Sequence, residues 1–317
     1  MGDQNEEPTV AILMATYNGE NYIADQLLSI GWQTYKNWHL YVSDDGSKDS
    51  TLAIVQAFSK LNPGKVTILS AREQHSGACG NFFRLIRSVP HSYNFYAFAD
   101  QDDVWFDDKL ETSIKFFLDD QEKECLVVCD CCVVDESLNI IKKSFIHNIK
   151  GLDPESAKLS DVIARNWLLG ASMVLNKKLF ELVSLANNSN KIVMHDFWIT
   201  LVATALGTVH FVDEPLYCYR QHGENYVGSM SIRITTIPKK AYLAKKALNK
   251  KEVQAKYFLE IYGEYLTTDQ QDLCSDFAFI CQKNKVERVY SILHQKISMG
   301  DVLSQGGLII YVGRRFY

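Results

Sequence analysis

The first hundred residues alternate two kinds of pattern, and that alternation leaves the chain few architectures to choose from. Short β-rich runs (Val10–Met14, His39–Val42, Val66–Leu69, Phe95–Ala99) are separated by stretches with helical spacing (Tyr22–Trp32, Thr51–Phe58, Asn81–Val89). Such repetition predicts an α/β fold with a mainly parallel sheet flanked by helices, because parallel neighbours need a crossover and an amphipathic crossover needs the sheet to cover it. Further on, Asp107–Phe117 is spaced as a helix, Leu126–Val134 and Gly170–Leu175 read as strands, and His195–Leu206 reads as a helix. Val209–Val212 and Leu216–Arg220 read as two more short strands, with which the sheet ends.

Composition excludes several classes of function. With 317 residues, 47% of them hydrophobic, the chain can bury a core without disulfides or structural metals, and disorder is excluded. A net charge of −5, spread along the chain, argues against nucleic-acid binding, which calls for a basic stripe matched to phosphates. Met1 to Pro8 is acidic and polar where a signal peptide has a basic start and an apolar run, and no apolar stretch approaches the ~20 residues of a membrane span. The expectation is a cytoplasmic protein with reduced thiols. Four of its eight cysteines, Cys125, Cys129, Cys131 and Cys132, crowd one segment. Their alternation along an apolar run suits buried small hydrophobes better than a zinc knuckle, which needs two pairs each spaced by two residues.

Ser229 to Pro238, rich in Ser and Thr, suggests a boundary between a first unit, residues 1–228, and a C-terminal helical extension, residues 229–317. Within the extension, Lys239 to Lys256 holds seven lysines and one acid, Glu252, while Ala241, Ala244, Ala247 and Leu248 line one side of a helix. That helix is either a solvated basic face or a peripheral contact for an anionic membrane surface; Gly306 to Tyr317, with Arg314 and Arg315, allows the same two readings.

In parallel sheets ligands bind beyond the carboxyl ends of the strands, and here those ends are polar. The first strand runs into Ala15-Thr16-Tyr17-Asn18-Gly19, the second into Ser43-Asp44-Asp45-Gly46-Ser47, and the fourth into Asp100-Gln101-Asp102-Asp103. Three carboxylates in four residues repel one another unless something positive sits among them. Mg²⁺ or Mn²⁺ completed by substrate phosphates would serve; so would a solvated acidic turn in which Asp103 caps the next helix. Asp49 or Ser50 is placed to cap the Thr51–Phe58 helix, yet Asp44 and Asp45 exceed what an Asp-Gly turn needs. A carboxylate there can accept the ring N–H of uracil or thymine. Asp130, alone in an apolar run, needs partners, so it faces the crevice or ties down a loop.

The ordered set Met14-Ala15-Thr16-Tyr17-Asn18-Gly19, Asp44-Asp45-Gly46-Ser47-Lys48-Asp49-Ser50-Thr51 and Asp100-Gln101-Asp102-Asp103-Val104-Trp105 resembles the inverting nucleotide-sugar glycosyltransferases of family 2. Met194-His195-Asp196 and Tyr219-Arg220-Gln221-His222 resemble the bacterial rhamnosyltransferase-like branch of that family. The resemblance runs from residue 10 to about 225 and implies a GT-A fold. It implies that Thr16, Tyr17 and Asn18 line the nucleotide pocket and that Asp45 accepts the base N–H. Asp100, Gln101 and Asp102 would hold the sugar-nucleotide, with Mn²⁺ or Mg²⁺ on Asp102, and Asp196 would be the catalytic base. His222 would join the metal or diphosphate, or lie on the surface; Arg220 would meet phosphate, or form a structural salt bridge. Gly77 and Asn81 would lie near the nucleotide, or cap a helix, and Asp196 itself can cap the helix it begins. The implied reaction is transfer of a sugar, rhamnose from dTDP-rhamnose or a hexose from a UDP-sugar, to a glycan or lipid-linked glycan in cell-surface polysaccharide synthesis.

Two departures matter. Many relatives carry Glu-Asp where this chain has His195-Asp196, and the Gln-x-x-Arg-Trp of processive synthases is absent after Gln221, so one sugar per encounter is expected. A non-catalytic sugar-nucleotide scaffold predicts loss of the base or metal ligand, but Asp102 and Asp196 are both present. A nicotinamide-dependent dehydrogenase would need a Gly-x-Gly-x-x-Gly turn after the first strand, which is missing.

Overall fold

Three strand-helix repeats build one half of the sheet in the computed structural model, which describes residues 7–70, 75–117, 123–149, 157–223 and 237–297. In chain order they are β1 (Val10–Thr16), α1 (Ile23–Gly31), β2 (Trp38–Asp44), α2 (Thr51–Leu61), β3 (Val66–Ile68), α3 (Gly77–Ser88) and β4 (Phe95–Ala99). These four strands are parallel, with Val10 level with both Trp38 and Phe95. The central strand, β1, is apolar on both faces because both are covered: Ala11 and Leu13 pack toward α3, Val10, Ile12 and Met14 toward α1 and α2.

The other half begins with β5 (Val104–Trp105), α4 (Lys109–Lys115), β6 (Cys125–Val134), β7 (Ile140–Lys142) and α5 (Leu159–Val162). It continues through β8 (Met173–Asn176), α6 (Lys177–Val183), α7 (His195–Leu206) and β9 (Thr208–Arg220). The strand order is β3-β2-β1-β4-β8-β6-β9-β5, with β7 paired to β6. Inserted antiparallel between β4 and β6, β8 joins the parallel half to a second parallel pair, β6 with β9.

Two local expectations change. The strand expected from Gly170 begins at Met173, because Gly170–Ser172 forms a 3₁₀ turn closed by the Ser172 N–H and hydroxyl on the Leu169 carbonyl. The two short strands expected around Asp213-Glu214 are one, β9, whose register jumps from Cys129 opposite Val212 to Asp130 opposite Pro215. A bulge at that point absorbs the polar residues and leaves Pro215 where no ladder donor is needed.

Cys125, Cys129, Cys131 and Cys132 are all buried free thiols in β6. Asp130 ties down a loop: one carboxylate oxygen accepts the N–H groups of Cys131, Phe145 and Ile146.

Three further helices, α8 (Ile237–Tyr262), α9 (Thr268–Ala278) and α10 (Lys285–His294), follow. Trp198 of α7 takes the rings of Tyr257, Phe258 and Tyr262 at 5.4, 5.7 and 5.9 Å, so α8 shares the core on the α3 and α7 side of the sheet. Ala247, expected on the apolar side of this helix, is exposed beside buried Leu248; the packed face is set by Leu248, Ala255, Phe258 and Tyr262. The side chains of Ala241 and Ala244, most of Ser229 to Pro238, and Gly306 to Tyr317 lie outside the described residues. Among the described residues no helix is long and apolar enough to cross a membrane.

Candidate active site

The ends of β1 and β2 are knitted together by polar side chains. Asp44 is consumed by the turn that follows it: Gly46 N–H, Ser47 N–H and the Ser47 and Thr16 hydroxyls all donate to it, at 2.6–3.0 Å. Asn18, in the left-handed region at φ 47, accepts the Lys48 N–H, and its own N–H donates to the Ser47 hydroxyl. Asp49, not Ser50, ties the start of α2 through the Thr51 N–H at 3.0 Å.

Asp45 points the other way. Its carboxylate accepts the Ser76 N–H at 2.9 and 3.0 Å, the Ser76 hydroxyl and the Gly77 N–H at 2.7 Å, and so caps α3 from another element. Gly77 begins the helix at φ +71, which a side chain would resist. Asn81, expected near the nucleotide or at a cap, is buried one turn into α3, where it exchanges hydrogen bonds of 2.6 and 2.7 Å with the Ser43 hydroxyl and carbonyl. Tyr17 stays 45% exposed at the mouth, its ring 4.5 Å from that of His75, which reaches Asp45 at 2.8 Å.

The loop after β4 is clamped to the same mouth. Gln101 accepts the Tyr17 N–H at 2.9 Å and donates to the Tyr17 carbonyl at 3.0 Å. Asp103 caps nothing: α4 begins later, at Lys109, and Asp103 is buried, accepting the Arg220 N–H at 3.1 Å. Arg220 turns its guanidinium to the protein, donating to the Asp102 carbonyl, the Glu136 carbonyl and the Asp25 carboxylate at 2.8–3.0 Å. It therefore braces the acidic loop, the structural alternative raised by its sequence. His222 meets the Asp102 carboxylate at 2.8 Å, and Tyr22 lies between His222, stacked at 4.5 Å, and Arg220, 5.0 Å over its ring. Tyr22 was invisible as a site residue in the sequence; its signal was its place in the loop after β1.

Asp196 occupies the second position of α7, where it accepts the Phe197 N–H at 2.6 Å, one of the donors a helix start leaves free. Burial pushes its pKa up to about 7, against the pull of hydrogen bonds from Phe197 and the Asn166 amide. Asp100 is also raised to about 7, by burial first and then by the charges of Asp102 and Asp196. The Asp196 charge acts on Asp100, so the α7 acid lies within electrostatic reach of the β4 loop, which Gln101 joins to Tyr17 at the end of β1. Asp103 is held well above the carboxylate range by burial and by the charges of Asp102 and Asp100.

His195, beside the candidate base, is stacked on Phe82 at 3.8 Å, and burial lowers its pKa to about 3, so it stays neutral. A Cβ at Gly170 would stand 2.5 Å from its Nε2. Because that ring is pinned by Phe82 and Phe98, Gly170→Ala should destabilise the fold by about 1–3 kcal/mol, read by thermal unfolding, and lower turnover by shifting Asp196.

Among the described residues no three His, Cys, Asp or Glu side chains are arranged to enclose a metal. The pair Asp102 and His222 fits a divalent cation that draws its remaining ligands from phosphate oxygens and water, as Mg²⁺ and Mn²⁺ do.

Parallel strand-helix repeats with polar strand ends, joined through antiparallel β8 to a second parallel pair, place the chain in the GT-A class of fold. Residues 11–173 match the family described as Glycosyl transferase family 2, and the chain belongs to that family. It is 31% identical over 223 residues to the dTDP-rhamnosyl transferase RfbG of Shigella flexneri, covering 68% of this chain and 74% of that protein. Two solved structures share the fold. S. aureus TarS 1–349 in complex with UDP-GlcNAc superposes with a TM-score of 0.59 at 16% identity, covering 96% of this chain and 89% of that one. The mannosyltransferase PcManGT from Pyrobaculum calidifontis, in complex with GDP-Man and Mn²⁺, gives 0.51 at 15%, covering 98% and 87%.

Proposed function

We propose that this protein transfers rhamnose from dTDP-rhamnose to a hydroxyl of a glycan or lipid-linked glycan in cell-surface polysaccharide synthesis, with inversion and with Mn²⁺ or Mg²⁺. One observation carries the reading: Gln101 clamps the acidic loop after β4 to Tyr17 at the end of β1, at 2.9 and 3.0 Å, while His222 meets Asp102 at 2.8 Å, so acids able to hold a sugar-nucleotide and its cation stand at one strand-end mouth. The similarity to RfbG supports the choice of donor.

In this reading Asp45 accepts the pyrimidine N–H and Tyr17 packs on the base, with Thr16 and Asn18 shaping the turn beside it. Asp100 and Gln101 face the sugar-nucleotide. Asp102 and His222 would hold a divalent cation, which would supply neutralisation of the charge left on the diphosphate. Tyr22 and Arg220 hold that pair in place. Asp196 takes the acceptor's proton as its oxygen attacks the anomeric carbon from the face opposite the diphosphate, and one displacement inverts the centre. In this reading residues 1–228 are the catalytic unit, and α8 braces it and offers its exposed Lys246 and Lys250 as the contact for an anionic membrane surface.

The test is release of nucleoside diphosphate from dTDP-rhamnose, UDP-glucose and UDP-galactose, followed across pH. A carboxylate reads the N–H of thymine and uracil alike, so the donor that turns over names the sugar. Because Asp196 is raised to about 7, its protonated, inactive form accumulates below that pH. Activity should therefore fall as pH drops through about 7, whereas a base with an ordinary aspartate pKa would hold the rate flat there. Turnover of none of these donors with any glycan acceptor sinks the proposal.

A further inference from the structure

Asp45 has no open face. Its side chain is 2% exposed, and its oxygens are held by the Ser76 and Gly77 N–H groups, the Ser76 hydroxyl and the His75 ring. Ser76 and Gly77 reach it through the backbone at the start of α3, so they cannot leave without unwinding that turn. His75 reaches it through a ring alone, with Nδ1 at 2.8 Å from Oδ2 and a side chain 55% exposed. The same ring lies 4.5 Å from the ring of Tyr17, tilted by 43°.

A flat ring against Tyr17 and a ring N–H on Asp45 are the two features a pyrimidine base would present. Two rings cannot hold both positions at once. We propose that His75 is a built-in placeholder for the nucleobase: it fills the base position in the free protein and is exchanged, ring for ring, when a pyrimidine nucleotide binds. This rests on the reading of Asp45 and Tyr17 as the base pocket given above. It goes further in assigning the free protein a competing internal ligand, which lowers donor affinity and keeps the buried carboxylate partnered while the site is empty.

The experiment is calorimetric titration of wild type, His75→Ala and His75→Phe with dTDP, UDP and inorganic pyrophosphate, each with Mn²⁺. Removing the competitor should tighten dTDP and UDP about tenfold in His75→Ala, equivalent to ~1.4 kcal/mol of self-contact given up, and leave pyrophosphate unchanged. His75→Phe, which keeps a ring but has no N–H, should fall between the two proteins. Nucleotide binding that weakens or stays the same in His75→Ala overturns the placeholder while leaving the base pocket standing. Failure of wild type and variants alike to bind any pyrimidine nucleotide overturns the functional reading and this inference with it.

A second measurement needs no variant. Diethyl pyrocarbonate labelling of wild type, read at His75 by peptide mass spectrometry, should speed up when dTDP is added and be unmoved by pyrophosphate. Protection of His75 by dTDP would show it to be a wall of the pocket, and would overturn the proposal.

Discussion

Asp196→Asn should reduce sugar transfer by roughly 10²–10⁴-fold, the usual contribution of a positioned general base, while donor affinity is kept. The substitution preserves shape and retains an oxygen to accept the Phe197 N–H, so α7 loses no hydrogen bond at its start. What it removes is a carboxylate that ionises near neutrality. It also removes one of the charges acting on Asp100, so dTDP binding is the control for any change on the donor side. Transfer rates with dTDP-rhamnose, set beside calorimetric binding of dTDP, separate the two effects. A variant that turns over near the wild-type rate would move the base elsewhere.

The second large effect is expected at Asp102. Asp102→Asn takes the charge from the carboxylate that meets His222 at 2.8 Å, leaving the proposed cation site one neutral amide and one imidazole. Transfer should drop by roughly 10²–10³-fold, the scale seen when one preorganised electrostatic group is lost. Unlike Asp196→Asn, this variant should also lose the dependence of dTDP binding on Mn²⁺. The Asp102 carbonyl still accepts from Arg220, so the loop keeps its brace and the melting temperature should change little. Full wild-type activity in excess chelator would remove the metal from the account.

How far the sequence led can be judged element by element. The parallel strands were legible because β1, β2 and β4 are buried on both faces and must be apolar throughout, while their ends must be polar if they are to hold a ligand. The acids Asp45, Asp100, Asp102 and Asp196 were legible as a recurring order of motifs, and what the structure adds is the Gln101 clamp on Tyr17 that ties the β4 loop to the end of β1. Less legible was what each polar residue spends its hydrogen bonds on. Arg220 and Asn81 look like ligand-binding side chains, yet both fasten one element to another, since a buried guanidinium or amide has to find hydrogen-bond partners. Tyr22 and His75 carried no motif, because a ring that props another side chain is chosen by distances that no local pattern encodes. The bulge that makes β9 one strand was hidden for a similar reason: Asp213-Glu214-Pro215 has the composition of a turn, and only pairing with β6 turns it into an irregular strand.

The central claim is spatial: the nucleotide and its cation lie across the ends of β1, β2 and β4, with Asp196 on the far side of the sugar. A crystal structure of the protein with dTDP and Mn²⁺ tests it most directly. The account predicts thymine against Tyr17 with its N–H on Asp45, and the manganese on Asp102 and His222 between protein and diphosphate. Density for the nucleotide in any other part of the molecule, or manganese held without Asp102, would contradict it.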